Sequence, residues 1–482
     1  MAILDERGIF WLSDTPVPQG QFAPDASIAG TLSIDDDGHV LLELDSYFPT
    51  KHGPFCILND QGKPFGRDIY GVLRTSNSRI ILTGVIPNGA QVKSNGISSQ
   101  EFVATDCLVG SFDFPANPLM LAFDGLEIEL SGFEDWFRLQ SIKVSRGNGR
   151  ISAEYEQPPE AAYEVDAEKL TFHFDISGTG PTSFGDRLSI KQNVTLRFSL
   201  RSKETLEKLA DLFRSLEELL VLLTDSEYRT PWPSIVLDPR TNVRWYFTRF
   251  RRQNAAEMPK RHNCLTYFPN VREAFGDIWS NWRVKRDQFG PGFYLYLGTR
   301  RGLSFYAEHR FINLIWGFEA YHRTKFPADP NSMSERIENI VEQISDKKDK
   351  RLVRSRLKHA HEPSLERRLF EIFNLLPIEL DKERLQAFAT KCAQARNGIS
   401  HYGTYHGAGS YNDFILDLDR KSSALSRLFH CLLLNEIGVT KEITNNWMFK
   451  AWGSFLVKHD LVEVGLLDRE VPQPPAISDP PR

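Results

Sequence analysis

Cysteine is scarce in this 482-residue sequence, and long apolar runs are absent. The five cysteines are scattered and odd in number, which argues against a disulfide framework and predicts a reducing, cytoplasmic location. A membrane-spanning helix needs about 18 or more consecutive apolar residues, and no such run occurs, so no membrane span is predicted. The segment Met1–Arg7 has neither the basic flank nor the apolar core of a secretory signal, so none is expected.

The sequence motifs of several large enzyme classes are also missing. There is no C-x-x-C pair, no H-E-x-x-H, no G-x-x-x-x-G-K-[ST] and no G-x-S-x-G. Zinc sites, phosphate-binding P-loops and nucleophile elbows therefore have no support, and we expect neither a metal ion nor a cofactor. The composition, 41% hydrophobic and 25% charged, is that of an ordinary globular protein, and the length predicts about two or three domains.

Charge is distributed unevenly, which the overall net charge of −5 hides. Residues 1–200 carry 15 Lys and Arg against 27 Asp and Glu, a net charge of −12. Residues 201–482 carry 43 against 36, a net charge of +7. Only the second part is suited to binding a polyanion, and the two parts are able to attract each other.

The first 200 residues are predicted to form β-structure. Asp36–Gly38, Pro87–Gly89 and Gly147–Gly149 have the composition of turns. Between the turn signals lie short alternating apolar runs, at Gly30–Ile34, Val40–Leu44, Ile80–Val85, Leu126–Leu130, Ile151–Tyr155, Leu170–Phe174 and Val194–Leu200. Many short strands without a helical pattern between them predict a sandwich or a distorted barrel.

The hydrophobic period changes after residue 200. Apolar residues recur at helical spacing from Leu206 to Leu223, and a short strand pair, Ser234–Leu237 and Val243–Phe247, is predicted to follow. Helices are predicted to dominate from residue 270 onward. Ser304 and Asp381 are predicted helix N-caps, and Gly438 is a predicted helix stop.

These patterns predict an α+β multidomain protein, with an N-terminal β-rich, sandwich-like domain followed by an all-α helical bundle. We assign residues 1–200 to the β-rich domain and residues 201–265, a helix plus short strands, to a connecting region. Residues 266–460 are assigned to the helical bundle. Residues 461–482 are assigned to a proline-rich tail, of which Val471–Arg482 is predicted to be disordered.

Residues 396–401 read R-N-G-I-S-H and are the strongest candidate for a chemical site. They combine a fixed cation, an amide and a titratable imidazole in a chain that has only 12 His. Arg396 can bind a phosphodiester and His401 can move a proton next to it, which is the chemistry of RNA cleavage. The alternative is that Arg396 is a paired core arginine and His401 an ordinary helix-end residue.

Helix geometry makes Arg396 unusual. It follows Leu385 and Cys392 at a spacing that places it on the apolar stripe of an amphipathic helix, where an unpaired charge is costly. Asn397 and His401 share a different face, roughly 100–160° around the helix. Either the helix breaks near Gly398, or a second chain brings its own histidine towards this arginine.

Two segments resemble a known family. The R-N-x-x-x-H hexapeptide, followed by Tyr402, matches the signature of HEPN domains. Residues 308–323, E-H-R-F-I-N-L-I-W-G-F-E-A-Y-H-R, resemble the first long helix of the ApeA-type (Apea-like) HEPN subfamily. The β-rich segment upstream is similar to the ApeA N-terminal domain in size and order. The HEPN resemblance covers residues from about 270 to 460.

The resemblance implies a metal-independent endoribonuclease of bacterial antiphage defence that acts as a homodimer or higher even oligomer. Two copies of the signature would meet at the HEPN–HEPN interface. On this resemblance Arg396 would hold the scissile phosphate, His401 would be the general acid and base, and Asn397 would orient the site. The alternative is a non-catalytic HEPN-like module that binds RNA or protein. A HEPN partner neutralised by a separate nucleotidyltransferase is less expected, because the HEPN segment is here fused to a large β-rich domain.

Three further side chains and Tyr402 are predicted to support this site. Glu308 and Glu319 are 11 residues apart and so lie on one helix face, with His322 three residues further on. Glu319 interrupts a mostly apolar stretch and needs a cation. Either it forms a purely structural pair with an arginine, or it orients Arg396 across the bundle, and both can hold.

Two basic stretches are candidates for contact with RNA. The first comprises Lys347, Lys348, Lys350, Arg351, Arg354, Arg356 and Lys358. The second, Arg240–Arg261, interleaves seven Lys and Arg with aromatic residues, among them Trp245. The alternative for both is an ordinary solvated face or a strand core.

The N-terminal domain is expected to inhibit, sense or scaffold. Its net charge of −12 would let it compete with RNA for the basic part of the chain, and a phage-derived activator would relieve that restraint. The alternative is that the acidic residues only keep a β-rich domain in solution.

Overall fold

The chain is described by a computed structural model. The described residues are 2–48, 64–91, 93, 96, 98–114, 122–180, 188–238, 241–249, 257–300, 306–327, 333–357, 362–402 and 410–469, and the side chains at 300, 334 and 400–402 are outside that description. Within these ranges no helix is both long and apolar enough to cross a membrane. The chain divides into two compact units, Met1–Glu218 with Tyr228–Arg252, and Leu219–Glu227 with Gln253–Arg482.

The first unit consists mainly of antiparallel β-structure. Its strands are β1 (Ala2–Leu12), β2 (Ile28–Asp35), β3 (Val40–Leu44), β4 (Ile69–Leu73), β5 (Arg79–Thr83), β6 (Ile86–Gln91), β7 (Ser99–Ala104), β8 (Asp106–Gly110), β9 (Phe123–Glu129), β10 (Ile142–Gly147), β11 (Arg150–Tyr155), β12 (Ala161–Val165), β13 (Glu168–Thr179), β14 (Ser189–Glu204), β15 (Ser234–Asp238) and β16 (Thr241–Phe247). A short helix, α1 (Glu134–Phe137), lies between β9 and β10, and α2 (Leu206–Thr224) follows β14.

Fourteen of the described strands pair in one ladder, in the order β12-β13-β14-β9-β15-β16-β8-β5-β4-β1-β2-β3-β7-β6. Within the described part of the chain, β10 and β11 pair only with each other. The predicted strand pair after residue 200 corresponds to β15 and β16, which insert between β9 and β8. Strands of the segment assigned to a connecting region therefore belong to the same sheet as the strands before residue 200.

Burial in the sheet follows the alternation of side chains. In β2, Gly30, Leu32 and Ile34 point into the core, and the residues between them are more exposed. Their cluster includes Phe10 of β1 and Phe102 of β7, both fully buried. Around α1, Trp136 and Phe137 form a second buried group with Phe172 and Phe174 of β13. Burying aromatic side chains of this size supplies most of the driving force for the unit.

One predicted turn is wrong. Pro87–Gly89 lies inside β6, at the end of the ladder, and the register with β7 shifts between Pro87 and Gly89. Proline has no backbone N–H to donate, so edge strands and bulges are the places in a sheet that accept it. The turn predicted at Asp36–Gly38 is confirmed, with Gly38 at φ 82°.

The second unit is helical. Its elements are α3 (Phe268–Val271), α4 (Phe275–Arg300), α5 (Ala307–Lys325), α6 (Ser334–Glu342), α7 (Lys347–Leu357), α8 (Leu365–Phe373), α9 (Lys382–Tyr402), α10 (Tyr411–Glu436), α11 (Lys441–Asn445), a π-helical turn (Asn446–Lys450) and α12 (Ser454–Glu463). Fold class is therefore as predicted, a β-rich unit followed by a helical unit.

Capping residues explain where two of the helices begin and end. Asp381 caps α9, because its Oδ1 accepts the N–H of Arg384 at 2.9 Å. Gly438 follows α10 at φ 98°, a conformation that favours glycine. Both predictions are confirmed. The predicted cap Ser304 and the proline-rich tail from residue 470 lie outside the described residues.

α4 and α5 approach each other closely at a pair of glycines. A Cβ on Gly292 would lie 2.6 Å from the backbone oxygen of Gly317, and a Cβ on Gly317 would lie 3.1 Å from that of Gly292. Neither helix can carry a side chain at this crossing without moving. Gly317 is two residues before Glu319 on α5, so the crossing also fixes the position of Glu319 along the helical bundle.

We predict that Gly292→Ala destabilises the helical unit by about 1–3 kcal/mol, because the new methyl group meets backbone atoms. Gly298→Ala, in the same helix, is the matched control, since a Cβ there meets nothing within 4 Å. It should be neutral or stabilising by up to about 1 kcal/mol through helix propensity. Denaturant unfolding of the full chain, followed by circular dichroism, measures both. Equal effects of the two substitutions would contradict the close crossing.

Candidate functional site

The helix that carries the hexapeptide does not break. α9 runs from Lys382 to Tyr402 through Gly398. A Cβ on Gly398 would meet nothing within 4 Å, so packing does not require glycine at this position. The sequence left two alternatives, a helix break near Gly398 or a histidine supplied by a second chain. The first of these, the helix break, is therefore wrong. Five residues at about 100° each place Arg396 and His401 about 140° apart around the helix.

Arg396 is held in the bundle without being fully paired. Its side chain is 25% exposed, and its Nη2 lies 3.7 Å from Oε2 of Glu319. Its Nη1 donates to Oδ1 of Asn397 at 3.3 Å. Its Nε is buried and makes no hydrogen bond within the described residues. The 3.7 Å separation gives Coulomb attraction but is longer than a hydrogen bond, so within the described residues the guanidinium donates a hydrogen bond only to Asn397.

Glu319 reaches Arg396 from a neighbouring helix. Its side chain is 15% exposed, on the stretch of α5 whose buried residues include Ile315 and Phe318. A carboxylate in such surroundings is costly unless a cation lies near it. Glu319 and Arg396 therefore neutralise each other across α5 and α9. The sequence allowed two interpretations of Glu319, a structural pair with an arginine or a residue that orients Arg396, and both require this contact. That Glu319 orients Arg396 is a proposal.

His322 does not join this pair. It is 2% exposed, and its Nε2 lies 2.8 Å from Oε2 of Glu371 on α8. The other oxygen of Glu371 accepts from Nε of Arg367 at 2.8 Å. Burial acts to raise the pKa of Glu371, but the hydrogen bonds from His322 and Arg367 outweigh it and lower that pKa. The contact of His322 is thus with α8. The sequence analysis did not find Glu371, whose only signal is its i,i+4 spacing from Arg367.

Glu308 lies at the other end of α5. Its Oε1 accepts a short hydrogen bond from the hydroxyl of Tyr411, at the start of α10. This bond raises the pKa of Tyr411. Glu308 and Glu319 thus engage different partners, and only Glu319 contacts the hexapeptide within the described residues. Nothing in the sequence pattern pointed to Tyr411.

Two of the predicted site residues are described only by their backbone. His401 and Tyr402 belong to the last turn of α9, and their side chains lie outside the described residues. Lys358, the last residue of the first basic stretch, also lies outside them. The geometry of the candidate site therefore rests on Arg396, Asn397 and Glu319.

The first basic stretch forms an exposed helix. No residue of α7 is buried. Arg354 is paired with Glu338 of α6, with its Nη2 2.6 Å from Oε2. The helix has five other described cations, which form no ion pair within the described residues: Lys347, Lys348, Lys350, Arg351 and Arg356. Unpaired exposed cations on one helix suit the backbone of a polyanion, and equally suit a solvated face.

Side chains of the second basic stretch pack against the sheet. Trp245 of β16 is 1% exposed and donates its indole N–H to Asp106 at 2.9 Å. Arg249 donates to the backbone oxygen of Thr230 at 2.9 Å, and its guanidinium lies 3.9 Å from the ring centre of Trp232. The described aromatic and cationic side chains of this stretch up to Arg249 therefore pack within the first unit, as the alternative of a strand core predicted, whereas Lys260 and Arg261 belong to the second unit.

A half-buried guanidinium with spare donors, beside an exposed amide, is an arrangement that binds an anion. The exposed Asn397 side chain lies at the open side of the cluster. Among the residues the structure describes, no group of three or more His, Cys, Asp or Glu side chains is close enough to hold a metal ion. The arrangement can thus bind and stabilise a phosphate by hydrogen bonds from Arg396.

Two family models match the chain. The ApeA N-terminal domain 1 model matches residues 5–282, and the Apea-like HEPN model matches residues 312–443. The first match extends past residue 200 and includes β15 and β16. No curated protein and no solved structure matches this chain. The second match contains α9 with the hexapeptide and the Glu319 side of α5. The first model alone covers more than half of the sequence, and the chain therefore belongs to the ApeA-type family of HEPN antiphage proteins.

Proposed function

We propose that this protein is a metal-independent endoribonuclease of antiphage defence, with Arg396, Asn397 and His401 as its catalytic residues. The observation that carries the proposal is the incompletely paired guanidinium of Arg396, which Glu319 attracts at 3.7 Å without saturating. Within the described residues the buried Nε of Arg396 also has no hydrogen-bond partner, and an acceptor such as a phosphate oxygen would stabilise that donor.

The proposed reaction uses the nucleophile that RNA itself supplies. The 2′-oxygen attacks the adjacent phosphorus, and the bond from phosphorus to the 5′-oxygen of the next nucleotide breaks. A histidine near its ordinary pKa accepts the proton of the 2′-hydroxyl, and a proton is returned to the leaving 5′-oxygen. Arg396 stabilises the charge that develops on the phosphorane, and Asn397 orients the guanidinium through its 3.3 Å contact. The products are a 2′,3′-cyclic phosphate and a 5′-hydroxyl.

The proposed site is completed by a second copy of the chain. Because α9 is continuous, Arg396 and His401 of one copy diverge by about 140°. A two-fold axis beside α9 would bring Arg396 of one copy towards His401 of the other, giving two equivalent sites in a homodimer. Larger even oligomers repeat the same unit.

Two further roles belong to the proposal. The five unpaired cations of α7 would contact the RNA backbone. The acidic N-terminal unit would restrain or sense, since residues 1–200 carry a net charge of −12 and the rest of the chain +7.

The alternative function is a HEPN-like module that binds RNA or protein without cleaving it. The exposed cations of α7 fit this alternative equally well, because phosphate binding needs no proton transfer. Arg396 and Asn397 are able to serve either function, so the role of His401 separates the two.

We predict that Arg396→Ala and His401→Ala each lower the rate of RNA cleavage by at least about a hundredfold, the usual contribution of such groups. The measurement is cleavage of total RNA by purified protein, with sequencing of the new ends. His459→Ala is the matched control, because His459 is an exposed histidine of α12. Both catalytic variants should still fold, and His401→Ala should still bind RNA.

Chelation supplies a control for this experiment. If side chains activate the 2′-hydroxyl, cleavage persists in EDTA and leaves cyclic phosphate ends. Cleavage that stops in EDTA and returns with Mg²⁺ would contradict the mechanism. Wild-type cleavage by His401→Ala would instead support the binding module.

We predict that Glu319→Gln lowers cleavage by about ten- to a hundredfold, since Arg396 loses its counter-charge and its fixed position. Glu319→Asp should restore part of the activity, because it keeps the charge. Glu308→Gln is the matched control on the same helix, where the partner is Tyr411. The measurement is kcat and KM with a short RNA, together with the melting temperature. A loss of stability with unchanged kcat would assign Glu319 a structural role only.

The composite site predicts complementation between two inactive variants. In a mixed dimer of Arg396→Ala and His401→Ala copies, one site retains both intact residues and the other has neither. Co-expression with two affinity tags isolates such dimers, which should recover about half of the wild-type rate. Sites confined to single chains would stay inactive in the mixed dimer. Homodimers of each variant, purified in the same way, are the controls.

A further inference from the structure

The first unit contains a cavity that no part of the proposed reaction uses. Its volume is about 380 Å³, which is within the range of ligand-binding pockets. One wall is the segment from the end of β9 through α1 to the start of β10, and the other is the early part of β14. A hydrogen bond from Ser141 to Oε1 of Gln192 joins the two walls.

The lining of the cavity combines apolar and polar residues in about equal numbers. Phe137, Ile142 and Ile190 are among its apolar lining residues. Gln192 also lines it, and the Nε2 of Gln192 is buried and makes no hydrogen bond within the described residues. A buried amide without an acceptor is costly, so an oxygen atom from a ligand would stabilise it. Exposed Lys191, next in sequence, also lines the cavity and forms no ion pair within the described residues.

The cavity opens beside a β-ribbon that has two different faces. In the β10–β11 pair, Ile142 lies opposite Tyr155, Val144 opposite Ala153 and Arg146 opposite Ile151, which places these six residues on one face. The other face carries the opposed pairs Lys143 with Glu154 and Ser145 with Ser152. The first face is mostly apolar, yet Val144 is 57% exposed and Ile151 is 73% exposed. Ile142 belongs to this face and to the cavity wall, so the two surfaces are continuous.

Both long edges of this ribbon are open. β10 and β11 pair only with each other within the described residues. An edge strand presents unpaired backbone N–H and C=O groups to any extended segment that reaches it. A two-stranded ribbon is also only marginally stable alone, so a third strand would stabilise it.

Lys191 is an exposed cation at the cavity, without an ion pair in the described residues, in a region that is acidic as a whole. Arg146 and Arg150 lie at the end of the ribbon, are exposed, and form no ion pair within the described residues. They belong to opposite faces of the ribbon and lie at the end away from Ile142, so neither of them lines the cavity. Glu134 also lines the cavity, and its Oε1 accepts the N–H of Gly132 at 3.0 Å. Lys191 favours a ligand that carries a carboxylate.

We infer that this surface binds an extended, acidic and apolar segment of a partner protein. The segment adds a strand to the β10–β11 ribbon and inserts one large apolar side chain into the cavity. A neighbouring carboxylate pairs with Lys191 and accepts a hydrogen bond from Gln192. The apolar lining and the strand edges select a polypeptide rather than a nucleic acid, because a phosphate backbone offers neither an apolar side chain nor a β-strand. This inference does not depend on RNA cleavage.

The test is selection of a random 12-residue peptide library, displayed on filamentous phage, against the full-length chain. The inference expects enriched peptides in which an acidic residue lies next to a large apolar one. Synthetic copies of those peptides should lose about tenfold or more in affinity with Lys191→Glu and with Ile190→Trp, which fills the cavity. Lys208→Glu and Leu416→Trp are matched controls at exposed positions elsewhere and should bind normally.

Hydrogen–deuterium exchange of the full-length chain provides a second readout. Bound peptide should protect the backbone amides of β10 or β11, as strand addition requires. Should Ile190→Trp fail to fold, Lys191→Glu still decides, since Lys191 is exposed. No enrichment, enrichment of peptides without acidic residues, or equal binding to wild type and Lys191→Glu would each overturn the inference.

Discussion

A partly buried guanidinium needs a counter-charge, and the helical unit supplies one that does not saturate it. Glu319 attracts Arg396 from 3.7 Å, which is close enough to offset the cost of burial but too far for a good hydrogen bond. The arrangement depends on α5 lying close to its neighbours. The crossing of Gly292 and Gly317 allows that approach, and the bond between His322 and Glu371 ties the end of α5 to α8. The arginine is thereby held in place, and its Nε keeps an unused donor within the described residues, as the proposed phosphate contact requires.

The parts of the fold that the sequence predicted are those in which local pattern and environment agree. β2 and β3 alternate cleanly because one of their faces is buried, and α2 has a full helical stripe. β1 was not predicted, because Asp5–Arg7 interrupt its apolar residues and its last residues are buried in succession between β2 and β4. β6 was taken for a turn because its proline and glycine lie at an edge, where the usual composition rules do not hold. Pairing partners, which a single sequence does not reveal, decided both cases.

The candidate site shows the same division. A lone acidic residue in an apolar helix and an arginine on an apolar stripe were both visible in the sequence, because each would be unstable without a partner. Their contact across α5 and α9 follows from that shared need. The spacing of Glu308, Glu319 and His322 suggested one cluster, yet the three engage Tyr411, Arg396 and Glu371 on three different helices. Periodicity fixes the face of a helix, but the arrangement of its neighbours decides which element each residue on that face meets.

The unbroken course of α9 determines what kind of control the proposed enzyme needs. In the proposed enzyme a single copy presents Arg396 and His401 on helix faces about 140° apart, which is why the proposed site draws on a second copy. Control then requires no movement of either residue within its helix. It requires only that a second copy be admitted or excluded at the surface of α9, which a ligand bound to the first unit is able to bias by small differences in free energy. A continuous helix is therefore compatible with a ribonuclease that stays inactive as separate chains and gains its site by association.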